Sequence, residues 1–297
     1  MTTYFLSMLV SGLRLGSIYA IVAIGYSIVY GILRLINFAH GDIMTVGVYI
    51  ILVLMNQLGV PLIGCVVISV GLSILVGLLI ERFAYRPLRD ATEETTLISS
   101  LAVSTLLQNL LQIIFNSQRK PFLLPTWLSQ DHQLGPVSLS TVNIITFVVT
   151  AIFLVALYFI LKRTNIGTAM RACSENMQAS RLMGVNVNHV VMFSFAIGSG
   201  MAVIAGLLLA GEYKTVYPSL GFVPGLKAFC AAVVGGIGSL GGAVAGAFII
   251  GVAEMLFAGL MSTSLTAYRD AFVFLLMVVV LLFCPNGLFG HTEGERS

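Results

Sequence analysis

The chain has 297 residues, of which 58% are hydrophobic and only 9% charged, with a formal net charge of +3 and a mean hydropathy of +1.01. Soluble domains carry about 25% charged residues, so a water-facing surface for a domain of this size cannot be assembled from these side chains. No polybasic stretch is present, which argues against a nucleic-acid partner, and the class that remains is an integral membrane protein. Backbone polar groups in lipid must be satisfied within a segment or in a closed barrel. The apolar runs are longer than the alternating ten-residue segments of a barrel, so the fold class is an all-α polytopic membrane protein.

In chain order, charge-poor runs near the ~20 residues a crossing helix needs fall at 8–32, 42–57, 62–80, 95–116, 141–161, 190–210, 243–260 and 270–287. They predict about eight transmembrane helices in a single domain over 1–297. "NQLGVP", Asn56 to Pro61, reads as the turn between the second and third. Between Gly225 and Gly242 the apolar part, 228–234, is too short to span. The glycines after it, among them Gly235, Gly236 and Gly238, predict a broken or re-entrant segment. The stretch 117–140 carries little beyond Trp127, a candidate interface anchor. The first apolar run has no basic leader and continues as a full span, so no cleavable signal is expected. Small residues recur four apart at Gly12/Gly16/Ala20, at Gly198/Ala202/Gly206/Ala210 and at Ala243/Ala247/Gly251. Such stripes let helix backbones approach closely and predict a compact bundle without locating a site.

"RLINFAHGDIM", Arg34 to Met44, sets Asn37, His40 and Asp42 between two oily runs. Ionisable groups at membrane depth are costly and usually functional. Gly41 permits a backbone break, with Asn37 or Asp42 as caps for the exposed amides. The reading is a pair of helix ends meeting inside the protein and lining the pathway, in preference to a direct substrate contact by His40. A second glycine interruption lies at 233–246, and paired interruptions in two halves point to a transport pathway of discontinuous helices. Glu254 is expected to be a packing or interface carboxylate near the outer surface. Lys214 and Lys227 are expected to face outside.

The loops 81–90 and 162–186 hold seven of the fifteen basic residues, which places both in the cytoplasm. Counting spans from there puts the N-terminus outside and the C-terminus inside. Within the longest polar stretch, 162–189, a short amphipathic helix is expected. Ala172, Met177, Ala179 and Leu182 share one side, Arg171, Glu175, Gln178 and Arg181 are polar, and Gly184 ends it. On shape alone, docking into a soluble partner and lying on the membrane surface stand level.

No GxxxxGK[ST] occurs, and "GGIGSLGG" (235–242) has no following lysine, so no phosphate-binding loop is expected. HExxH, CxxC and GxSxG are also missing, and the four histidines, His40, His132, His189 and His291, are scattered. No catalytic residues, metal site or bound cofactor are expected in this chain. Cys65, Cys173, Cys230 and Cys284 read as small core residues.

Four stretches carry a family resemblance that covers nearly the whole chain: "GSIYAIVAIGYSIVYGILRLINFAHGD" (16–42), "ERFAYRPLR" (81–89), "GTAMRACSENMQASRLMGVN" (167–186) and "KAFCAAVVGGIGSLGGAVAGAFIIGVAE" (227–254). Together they resemble the membrane permeases of branched-chain amino acid ABC importers, the LivH type. The pattern at 176–186 is shared with sugar permeases of the wider superfamily. "ERFAYRPLR" favours the amino acid branch. The resemblance implies the ABC importer permease fold and a multi-pass place in a bacterial or archaeal cytoplasmic (inner) membrane. It implies a second, LivM-like permease, two ATP-binding subunits that hold ATP and Mg, and an extracytoplasmic binding protein delivering the substrate. It makes 171–186 the coupling helix, with Arg171, Ala172, Glu175, Ala179, Leu182 and Gly184 at the docking face. A urea or short-amide importer is the same-class alternative. A stand-alone secondary transporter or channel is the alternative of another class, and the poverty of intramembrane carboxylates argues against it.

Overall fold

The computed structural model describes residues 2–289 except Asp90, Ser129, Gly135, Pro136 and Ile237. His291 and the expected cytoplasmic C-terminus lie outside the described residues. The helices are α1 (Thr2–Leu33), α2 (Ala39–Asn56), α3 (Leu62–Ile80), α4 (Glu93–Phe115), α5 (Thr141–Arg163), α6 (Asn165–Glu175), α7 (Met177–Leu182), α8 (Val187–Tyr213), α9 (Phe222–Gly235), α10 (Leu240–Leu260), α11 (Thr263–Thr266) and α12 (Arg269–Phe283). A π-turn at Glu81–Tyr85 and a 3-10 turn at Arg86–Leu88 prolong α3. Among the described residues, α1, α2, α3 with its extension, α4, α5, α8 and α10 are long and apolar enough to cross a membrane.

The eighth expected span, 270–287, is the 15-residue α12. It is about 22 Å long, short of the ~30 Å hydrocarbon core. Pro285 bars the helix from continuing, and Gly287 turns the chain at a φ of 79°. The expected short segment before the glycine loop is α9, of 14 residues. Gly236 and Gly238 take φ values of 108° and 87°, a region in which only glycine is unstrained, and Ser239 then caps α10 by accepting from Gly242 N at 3.2 Å.

α1 is apolar on every face and runs through the centre: Ile18, Tyr19, Ala20, Ile21, Val22, Ala23 and Ile24 are all buried. A helix hydrophobic all round belongs in the interior. Its partner is α10, and here two of the small-residue stripes meet. A side chain on Gly12 would lie 2.6 Å from Val252 Cα, one on Gly16 would lie 2.9 Å from Phe248 Cα, and one on Gly251 would collide with the Gly16 backbone. The third stripe, on α8, receives α2: Gly206 packs under Met44 and Val48. α3, α4, α5 and α12 form the outer ring, with Val67, Leu75, Ile113, Ile152, Val155 and Leu282 exposed, as lipid or a second membrane subunit requires.

Hydrogen bonds sort the loops to two ends. Arg89 donates to Asn188, and Gly31 lies beside Gly238. Leu288 N and Phe289 N bond Val234 O and Gly235 O, satisfying the last carbonyls of α9. The loops 86–92, 164–186, 236–239 and 284–289 thus share one end, here the basic end. At the other, the hairpin end, β1 (Lys120–Pro121) pairs antiparallel with β4 (Thr215–Val216) and β2 (Asp131–Leu134) with β3 (Val137–Ser140). Among the described residues these small ribbons are the departure from helical structure, and three of their four strands fall in the stretch 117–140 that lacked a sequence signal. Trp127 there is exposed.

Candidate translocation site and coupling element

The break between α1 and α2 spans Arg34–Phe38, and Arg34 holds a φ of 53°. Helix α2 does not start at the end of the bundle. Its second residue, His40, is packed among the middles of α1 and α8: a side chain on Gly25 would lie 2.7 Å from His40 Nε2, and one on Gly198 would lie 3.3 Å from His40 Cε1. Gly25 precedes the end of α1 by eight residues, about 12 Å along the axis. The chain therefore turns back into the bundle before α2 begins. Tyr26 meets the His40 ring edge-on at 4.8 Å.

The expected roles inside this stretch are corrected in detail. Gly41 is not the break, because it lies in the first turn of α2 with no positive φ. What it supplies is close approach. A side chain there would collide with the Gly221 carbonyl, and Gly225 Cα lies on the same contact. Asn37 and Asp42 do not cap α2; the cap position is Phe38, with no side-chain hydrogen bond. Asn37 Oδ1 instead accepts from the Tyr85 hydroxyl at 2.8 Å, and Asp42 Oδ1 accepts from Gln108 Nε2 at 3.0 Å. Three stronger geometric demands, made by α3, α4 and α9, outweigh a local cap worth about 1 kcal/mol.

Helix α9 starts at this same level. Thr45 Oγ1 accepts from Gly221 N at 2.8 Å, and α9 runs from there to the basic end, where Gly235 packs against Gly242. Two discontinuous helices thus meet by their amino-terminal ends in the middle of the bundle, α2 leading to the hairpin end and α9 to the basic end. Around the junction Asn37 Nδ2, His40 Nε2 and Asp42 Oδ2 are buried without a protein partner. Most buried polar atoms are paired, so three unsatisfied ones within six residues mark a site that packing alone does not explain.

A second polar group was missed by the sequence reading. Lys227, expected to face outside, is 3% exposed. Its Nζ donates to Glu254 Oε1 at 2.6 Å and lies 2.6 Å from Asp270 Oδ1. Tyr19 donates to the other Glu254 oxygen at 3.0 Å. Glu254 is 1% exposed, so the interior is richer in carboxylates than the composition implied. The cluster ties α1, α9, α10 and α12 together. The available signal was one lysine and one glutamate in otherwise uncharged apolar helices, since buried charges occur paired. Lys214, by contrast, is exposed as expected.

The cytoplasmic-loop expectation of one amphipathic helix is also corrected. Asn176 leaves the helix at φ −152°, ψ 106° and its side chain accepts from Ala179 N at 2.9 Å. It therefore ends α6 and caps α7. Ala172 is half-buried on α6 and does not share a face with Leu182. Met170, Cys173 and Ser180 are buried against the bundle, and burial pushes the Cys173 thiol up from its ordinary range. Arg171, Glu175 and Ala179 are exposed. Leu182 and Met183 are 89% and 85% exposed, an apolar tip projecting from the basic end. Gly184, at φ 85°, turns the chain after it as expected.

The family described as "Branched-chain amino acid transport system / permease component" matches residues 8–281. The chain belongs to this family. The permease is 39% identical to the high-affinity branched-chain amino acid transport system permease protein BraD of Pseudomonas aeruginosa, over 99% of this chain and 98% of that one. It is 37% identical to LivH of Salmonella typhimurium and 36% identical to LivH of Escherichia coli K12, each over 99% of this chain and 98% of the relative. Among solved structures, PsaBC from Streptococcus pneumoniae in complex with Fab aligns over 96% of this chain and 92% of its own, at a TM-score of 0.47 and 14% identity.

The stretches that carried the resemblance now have physical roles in the permease. In "ERFAYRPLR", Arg89 pairs with Glu81, Arg89 reaches Asn188 at 2.7 Å and Tyr85 reaches the α1–α2 break. In "NMQASRLMGVN", Asn176 and Asn186 both cap helices, the latter accepting from His189 N at 3.3 Å. The first and last residues of "KAF…VAE" are Lys227 and Glu254, the buried pair.

Proposed function

We propose that this chain is the transmembrane permease subunit of an ATP-driven importer for branched-chain amino acids in a cytoplasmic (inner) membrane. The observation that carries the mechanism is the meeting of α2 and α9 by their amino-terminal ends beside three unpartnered polar atoms. Helix amino-termini carry partial positive charge and suit the carboxylate of an amino acid in transit. Asn37, His40 and Asp42 border that path, and the Gly41–Gly221–Gly225 contact is the point at which the two half-helices move against each other. The glycine loop of Gly235, Gly236 and Gly238 lets α9 shift without dragging α10.

Energy is supplied by two ATP-binding subunits that hold ATP and Mg, and they dock on the α6–α7 element. The exposed Leu182 and Met183 fit an apolar groove on such a partner, with Arg171, Glu175 and Ala179 around it. A second, LivM-like permease packs on the exposed outer ring, and an extracytoplasmic binding protein docks at the hairpin end. The basic end then lies in the cytoplasm. Uptake of radiolabelled leucine by cells expressing the complete system tests the substrate. Isoleucine and valine should compete, whereas urea and acetamide should not. Competition by urea equal to that by valine would transfer the reading to a short-amide importer.

A further inference from the structure

At the basic end a groove of about 800 Å³ opens between α5, α6 and α10 and reaches in to one side of α1. Its walls are apolar, including Ile28, Ile32, Leu157, Leu161 and Val244. Its mouth is not: Lys162, in the last turn of α5, and Arg171, on α6, both line it. Neither has a carboxylate within ion-pair distance among the described residues. Lys162 lies over the Tyr158 ring at 5.1 Å, and Arg171 donates only to Thr168 at 3.3 Å. Two cations thus stand over an oily slot with no protein anion to answer them.

Ser27 also lines the groove; it is 3% exposed, and its Oγ has no partner. Thr150 Oγ1, bonded to Thr146 O at 2.7 Å, lies 3.3 Å from Ser17 O, which places Thr150 level with Ser17 and Ser27 level with Ile160. That is two residues, about 3 Å, deeper than Lys162. From the mouth inward the groove therefore presents two cations, then a buried hydroxyl, then aliphatic walls. We propose that it binds one anionic phospholipid of the adjacent leaflet: phosphate between Lys162 and Arg171, glycerol ester against Ser27, and acyl chain along α1. Basic pockets between transmembrane helices on the cytoplasmic side recognise anionic headgroups in this way. The site rests on the sidedness proposed above, which surface labelling reads independently.

The complex should be purified in detergent, titrated with phosphatidylglycerol or phosphatidylcholine, and examined by native mass spectrometry. The expected result is one phosphatidylglycerol per copy of this chain, bound in preference to phosphatidylcholine. Lys162→Gln/Arg171→Gln should weaken it by about thirtyfold, from about 1 kcal/mol per cation near the surface. Arg163→Gln, at the same helix end but off the groove, should bind as the parent does. A Cβ at Gly241 meets nothing within 4 Å, and Gly241 lines the groove, so Gly241→Leu should also expel the lipid. Equal affinity for the two lipids, undiminished binding in the double variant or in Gly241→Leu, or an equal loss in Arg163→Gln would each overturn the proposal. So would an assembled complex that carries no phospholipid because the second permease fills the groove.

Discussion

Replacing Lys227 by methionine keeps most of the stem and removes the charge. Glu254, 1% exposed, then loses the ammonium at 2.6 Å and keeps the Tyr19 hydroxyl and, at the longer distance of 3.9 Å, Arg269 Nε. Removing one partner of a buried ion pair costs about 3–5 kcal/mol, because the other charge is stranded. Asp270 has the Oδ1 that faces Lys227 buried, but its side chain is 45% exposed and it keeps Arg269 Nε at 3.6 Å, so it adds less. Neutralising both buried partners should be far milder, since a buried pair as a whole is roughly neutral in stability. Membrane complexes unfold irreversibly, so the readout is the half-life of monodisperse protein in detergent at a fixed raised temperature. Lys227→Met should shorten it at least tenfold, and Lys227→Met/Glu254→Gln should recover most of the loss. A single variant as durable as the parent, or a double variant no better than the single, would refute the cluster as the clamp joining α1, α9, α10 and α12.

Gly41→Leu drives a side chain into the Gly221 carbonyl and should abolish leucine uptake while the complex still assembles; normal uptake would remove the junction from the mechanism. Ala179→Asp and Leu182→Asp place a charge on the exposed tip and should weaken ATPase binding by about 2 kcal/mol or more, the loss typical of a disrupted anchor. Co-elution of the ATPase at parental stoichiometry would refute docking there. For sidedness, Trp127→Cys should react with an impermeant reagent in intact cells and Leu182→Cys only after lysis. Cys284 must be replaced first, since of the four free native cysteines it alone is not buried.

The spans were legible because each is an apolar run of crossing length, and length with apolarity is what the bilayer selects. The glycine stripes correctly announced close helix contacts, although not which helices would meet. The break at 34–38 was visible as polar residues in an oily context, but its seat was assigned to Gly41. The strained residue is Arg34, a non-glycine at positive φ that nothing in the residue type announces. Asn37 and Asp42 were read as local caps because capping is the interaction that sequence distance exposes. Their real partners, Tyr85 and Gln108, are 48 and 66 residues away. Lys227 was placed outside for the same reason: its two carboxylates lie on other helices. Asn176 was available as a helix N-cap signal three residues before Ala179, and reading it so would have divided the coupling helix into α6 and α7.

If partner subunits docked on α6–α7 supply the energy, this permease moves leucine only when they hydrolyse ATP. Proteoliposomes holding the full complex, with ATP on the side of the basic end and loaded binding protein on the other, measure this directly. The expected result is leucine accumulation that requires ATP and the ATP-binding subunits, and that is lost with Leu182→Asp. Accumulation by the permease alone, driven by a proton or sodium gradient without ATP, would contradict it.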